Sequence, residues 1–168
     1  EHALALRSTF SIGLPILGAT IANIGTQPSG KFFAWLGQAQ YVRRIYRDWD
    51  VVVRANLQLA DRPLFPIEQF ALGGIDTVRG YREYLTVTDD AFSGTAELRI
   101  PIAKWALPAI GDNNAPDAGT LQFVPFYDYG RGWNVDRTTP YPPDISSVGA
   151  GFRWSAGDGV LLELYYGK

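Results

Sequence analysis

A period of two, sustained through segment after segment, constrains this chain more than any other feature. In an extended strand successive side chains point to opposite faces, so alternating apolar and polar residues specify a sheet with two chemically different sides. Leu4, Leu6, Ser8, Phe10 and Ile12 stand against Ala5, Arg7, Thr9 and Ser11. Residues 31–46 set Phe33, Trp35, Ala39 and Tyr41 against Gln38 and Gln40, with Leu36 and Val42 blurring the parity. Val51, Val53, Ala55, Leu57 and Leu59 alternate with Val52, Arg54, Asn56 and Gln58. After Asp89-Asp90 the pattern resumes with Ala96, Leu98 and Ile100 opposing Thr95, Glu97 and Arg99. It returns over 120–130, 146–154 and 160–166, and no stretch keeps a helical period. The pattern predicts an all-β chain of about seven antiparallel strands.

Two architectures use such strands. A soluble sandwich buries its apolar faces on a second sheet and keeps strands to about five or six residues. A transmembrane barrel turns the apolar face to lipid and needs about nine to eleven residues to span. Several of these segments have the longer length, and Arg7, Arg54, Glu97, Arg99, Asp128 and Arg153 place charges mid-strand, where a lumen would accept them. The connections mostly alternate long with short: 15–30, 46–50, 61–92, 101–119, 131–145 and 155–159. Tyr127, Tyr129, Trp133, Trp154, Tyr165 and Tyr166 lie near strand ends, where an aromatic girdle would sit. The barrel is the favoured expectation. Single-chain bacterial barrels usually have an even strand count, and the chain starts inside an alternating pattern, so it reads as an excised part of a larger barrel.

Composition narrows the chemistry. A net charge of −2 offers no basic field for nucleic acid. Cysteine is absent and His2 is the sole histidine, which argues against thiolate or imidazole metal sites and against Ser–His chemistry at Ser8, Ser11, Ser93, Ser146 or Ser147. No cofactor and no metal are expected. Asp89-Asp90 and Asp112 read as solvated turn residues rather than as a calcium site or an acid pair.

One connection stands apart. Pro63 to Tyr84 is too long and too rich in special residues for a passive link. Gly73, Gly74 and Gly80 are free to take positive φ, with Gly73 and Gly74 as the candidate hinge, while Ile75, Val78 and Tyr81 are apolar groups that a solvent-washed loop would not need. Arg79, between Val78 and Gly80, is a charge that wants a fixed carboxylate to fork onto. Asp128, in Phe126-x-Asp128-x-Gly130, has the polar parity and lies near the same end of its strand. Glu97 is a second, weaker candidate. The plainer alternative is an Asp128 that caps a turn and an Arg79 on the surface.

The Val78-Arg79-Gly80-Tyr81 motif, preceded by EQFALGG and followed two strands later by Phe126-x-Asp128-x-Gly130, resembles the outer-membrane transporters that join periplasmic POTRA domains to a sixteen-stranded barrel. Within them, PLFPIEQFALGGIDTVRGY is similar to the two-partner secretion transporters of the haemolysin-activator and filamentous-haemagglutinin exporter type. The resemblance implies that residues 1–168 form the C-terminal portion of such a barrel, matching strands nine to fifteen, without POTRA domains, the first barrel half or the closing strand. Residues 61–92 would be the sixth external loop, folded inward, with Arg79 and Asp128 as the loop-tip arginine and its barrel-wall partner. The implied function is export of an unfolded partner protein across a Gram-negative outer membrane, without enzymatic activity. A barrel-assembly insertase is the alternative within the superfamily. A passive porin would be expected to carry several charges on its constriction loop rather than one arginine among glycines and aromatics.

Overall fold

The structure is a computed structural model that describes residues 1–16, 26–105, 119–156 and 160–168. Seven long strands hydrogen-bond into one antiparallel sheet: β1 (His2–Gly13), β2 (Phe32–Tyr46), β3 (Trp49–Ala60), β6 (Asp90–Trp105), β7 (Gly119–Trp133), β8 (Asp144–Ala156) and β9 (Val160–Gly167). Two short strands, β4 (Phe70–Leu72) and β5 (Thr86–Thr88), pair with each other inside the connection between β3 and β6. The long strands follow one another as an up-and-down meander, and β1 and β9 are the edges. No helix is present among the described residues.

The register carries the sequence parity across the whole sheet. One row runs Leu4–Tyr41–Val53–Ala96–Tyr127–Val148, and the next runs Ala5–Gln40–Arg54–Thr95–Asp128–Ser147. Burial is inverted relative to a water-soluble sheet. Leu4 and Val148 are 62% and 65% exposed, whereas Asp128 and Glu97 are 0% and 3% exposed. An apolar face open to its surroundings and a polar face that buries Asp128 and Glu97 match the two sides of a β-barrel wall. At the β2–β3 turn Trp49 meets Tyr46 edge-on, with ring centroids 5.8 Å apart, and Arg47 lies over the Tyr46 ring, an amphipathic grouping suited to a membrane interface.

The buried apolar cluster is small and lies between the long connection and the polar side of the wall: Leu72, Val78, Ala91 and Ile145, with Phe70 and Leu85 packed against it. It is the loop, with its short β4–β5 ladder, that gives this face a core.

Several boundaries differ from the sequence reading. Strand β6 begins at Asp90 and continues through Pro101 to Trp105, where a connection was expected. A register shift between Pro101 and Ala103 accommodates the proline, which has no N–H to give to the ladder. The β4–β5 ladder, with three residues on each side, is too short to show a period in sequence. Tyr165 belongs to no girdle: it pairs with Gly151 and turns its ring toward Phe126 on the polar face. Residues 17–25, 106–118 with Asp112, and 157–159 lie outside the described residues.

Candidate functional site

The tip of the 61–92 connection is shaped by glycines and short local bonds. Gly73 and Gly74 have φ of 102° and 99°. The Gly73 N–H donates to Thr77 Oγ1 at 2.9 Å and the Ile75 N–H to Glu83 Oε1 at 3.0 Å, which curls residues 73–83 into a compact tip. The tip then lies on bare backbone. Gly80 has φ 89°, and a Cβ there would come within 2.6 Å of the Gly167 carbonyl oxygen. Leu72 and Val78 occupy the space above Gly130, where a Cβ would meet each at 2.9 Å. The hydroxyl of Tyr81 donates to the Ser146 carbonyl at 3.2 Å.

This seating delivers Arg79 to the wall. Its backbone N–H donates to Asp128 Oδ2 at 3.0 Å, its Nε to the same oxygen at 2.8 Å, and its Nη2 to Oδ1 at 2.7 Å. Nη1 donates to Glu97 Oε1 at 2.7 Å. The guanidinium carbon sits 3.6 Å from the Phe126 ring centroid and 4.8 Å from that of Tyr165. The forked pairing and the ring contacts are what distinguish arginine from lysine at such a position. Burial lowers the pKa of the guanidinium, but Asp128 and Glu97 outweigh it and the net shift is upward, so Arg79 remains charged.

The two carboxylates are not equivalent. Among the described residues Asp128 is engaged by Arg79 alone, whereas Glu97 also receives Arg99, at 3.0 and 3.2 Å, and stands 3.5 Å from Arg54. Removing Arg79 would leave Glu97 with cations and Asp128 buried without one. Stranding one partner of a buried pair costs about 3–5 kcal/mol. The sheet register explains why both acids are in reach: Thr95 pairs with Asp128 and Glu97 with Phe126, so the two side chains leave the same face of neighbouring strands, two residues apart along the sheet.

A second centre was missed from sequence. Asp89 is 0% exposed and is no solvated turn residue. Its Oδ1 accepts the Leu64 N–H at 2.9 Å and Gln69 Nε2 at 3.0 Å, and its Oδ2 accepts the Val135 N–H and Arg137 Nε, each at 3.1 Å. Arg137 Nη2 bonds Oδ1 as well and also reaches the Leu64 carbonyl. The Asp89 N–H in turn donates to Asn134 Oδ1. Asp90, also buried, accepts the Ala60 N–H. Asp89 therefore ties the base of the long loop to the segment after β7. Nothing local in sequence separates a hub aspartate from a turn aspartate; its partners lie 20–48 residues away.

Among the described residues no group of histidine, cysteine and acidic side chains is arranged to hold a metal. The geometry is a clamp between a loop and a wall.

The family model described as haemolysin secretion/activation protein ShlB/FhaC/HecB matches residues 1–154. The chain belongs to this family. Searches of curated proteins and of solved structures gave no match. The ShlB/FhaC/HecB match spans β1 to most of β8, and so includes the loop tip, both of its carboxylate partners and the Asp89 hub.

Proposed function

We propose that this chain forms part of the wall of an outer-membrane pore in a Gram-negative bacterium, through which an unfolded partner protein is exported by two-partner secretion. Residues 1–168 would be the C-terminal portion of a sixteen-stranded barrel that is completed by further strands and preceded by POTRA domains. Family membership supports the secretion role. The observation that carries the reading is the buried clamp of Arg79 on Asp128 and Glu97, set on the polar face of a sheet whose other face is apolar. In this reading the loop braces the wall while Arg79 is seated and clears the passage when it lifts, an alternation between two packed states. Gly73 and Gly74 are the hinge, the Val78-Arg79-Gly80-Tyr81 stretch is the seat, and Phe126, Asp128 and Gly130 are its receptor. No catalytic step is assigned to any residue.

A charge-swap cycle in the full-length protein tests the pairing: Arg79→Asp, Asp128→Arg, and both together, scored for secretion and for barrel stability. Each single change is expected to abolish secretion and the double to restore part of it, held below wild type by the Glu97 carboxylate beside an acidic residue 79. Normal secretion by both single variants would remove the clamp from the transport cycle.

A further inference from the structure

We infer that the polar face of β1–β3 is a docking strip for extended, acidic stretches of polypeptide, centred on Arg7 and Arg54. The inference rests on the proposed secretion role for its physiological partner, but the chemistry of the strip is its own. The loop leaves the middle of this surface, around Arg7 and Arg54, as an open cleft. Its tip sits on β6, β7, β8 and β9 through Arg79, Val78, Tyr81 and Gly80. Its base lies over the far end of β1–β3: Asp61 Oδ1 accepts the Phe33 N–H at 2.8 Å, Gln58 donates to the Glu68 carbonyl at 3.0 Å, and residues 67–71 face Thr9, Ser11 and Leu36 across a cleft.

Beside the tip a cleft of about 270 Å³ remains, lined by Arg7, Gln38, Gln40, Arg54 and Asn56 from the wall and by Asp76 from the loop. Its floor is a row of amides: Gln38 Nε2 donates to Asn56 Oδ1 at 3.1 Å, and Asn56 Nδ2 to Ser93 Oγ at 3.0 Å. Such a row holds its own geometry and still presents donors and acceptors to a passing backbone.

The charge balance of the strip is what selects the ligand. On the polar face Arg44 pairs with Asp50 and Arg153 with Glu163, while Arg79 and Arg99 are held by Asp128 and Glu97. Arg7 is exposed and has no carboxylate within ion-pair distance among the described residues. Arg54 is 43% exposed and meets Glu97 at 3.5 Å, the longest of the three arginine approaches to that acid. Two under-neutralised guanidiniums flanking an amide floor suit a carboxylate-bearing chain. Attraction of this kind is weak and salt-dependent, so a chain can be held briefly and released, as passage requires.

The test uses the full-length protein in detergent, with a photoreactive phenylalanine in place of Gln40. The probes are two fluorescent unstructured peptides of about twenty residues, one of Glu, Ser and Gly and one of Lys, Ser and Gly. The acidic peptide is expected to cross-link at position 40 and to bind at least about fivefold tighter than the basic one at low salt, with the preference lost at high salt. Arg7→Gln with Arg54→Gln should erase the preference, and Arg7→Lys with Arg54→Lys should keep it. Equal binding of the two peptides, an unchanged glutamine double variant, or cross-linking absent at position 40 would overturn the inference. Secretion by the full-length protein without this peptide preference would sink the strip alone; peptide binding without any secretion would sink the proposed function and leave the strip.

Discussion

At the scale of single residues the molecule is governed by two buried acids with different duties. Asp128 serves the loop tip and depends on one arginine; Asp89 serves the loop base and is bonded from several directions. Burial alone would raise the pKa of Asp89, but the Arg137 fork, the Leu64 and Val135 N–H groups and the Gln69 amide outweigh it, and the net shift is below the ordinary 3.8. A carboxylate depressed by folding contributes stability that is complete above its unfolded pKa and lost as pH falls through the folded one. Hydrogen exchange at the Leu64 and Val135 amides should therefore stay slow at about pH 5 and accelerate only below about pH 3.8. In Asp89→Asn, exchange should already be faster at about pH 5 and lose that acid-dependent step. An acid step of the same size in the variant would assign the transition to another group.

At the scale of elements, the connection from β3 to β6 is ordered by docking rather than by its own ladder, which is only β4 on β5. What makes docking possible is the absence of side chains at the contact: Gly130 beneath Leu72 and Val78, and Gly80 against Gly167. Overpacking such a contact costs about 1–3 kcal/mol. Gly130→Leu is expected to unseat the tip while leaving the wall intact, because Gly130 holds its register with Ser93 and Ile145 through backbone. Limited proteolysis should then cut within residues 73–84 while the circular dichroism of the sheet is unchanged. A tip that stays protected in this variant would mean that it does not rest on β7.

The whole molecule is a wall with two sides and two edges. Its exposed face carries Leu4, Leu6, Phe10, Ile12, Val148, Leu162 and Leu164, and among the described residues β1 and β9 each pair with one neighbour only. In lipid an unpaired backbone N–H or C=O costs several kcal/mol, so an open edge demands a partner strand. The chain produced as these 168 residues alone is expected to associate through β1 and β9 into a ladder of species on cross-linking. The complete sixteen-stranded barrel of the proposed function should instead run as a heat-modifiable monomer. A monomeric, heat-modifiable 168-residue chain would show that the sheet can close on itself.

The sequence by itself determined the existence of the seven long strands and, where the alternation is clean, which side of the sheet a residue faces, because alternation is a local property that the backbone pleat enforces. It also marked Arg79 as a charge in need of a fixed acid, since a guanidinium held beside a glycine in an ordered loop is suited to fork onto a carboxylate. Tertiary structure decided the rest. Glu97 joins Asp128 at the clamp because the β6–β7 register places Thr95 and Glu97 opposite Asp128 and Phe126. Asp89 becomes a hub because chain segments on either side of two long strands converge on it. Tyr165 turns inward because β9 pairs it with Gly151, whose missing side chain leaves room for its ring. Each depends on residues distant in sequence meeting at one place, and no period or motif around the residue itself carries that information.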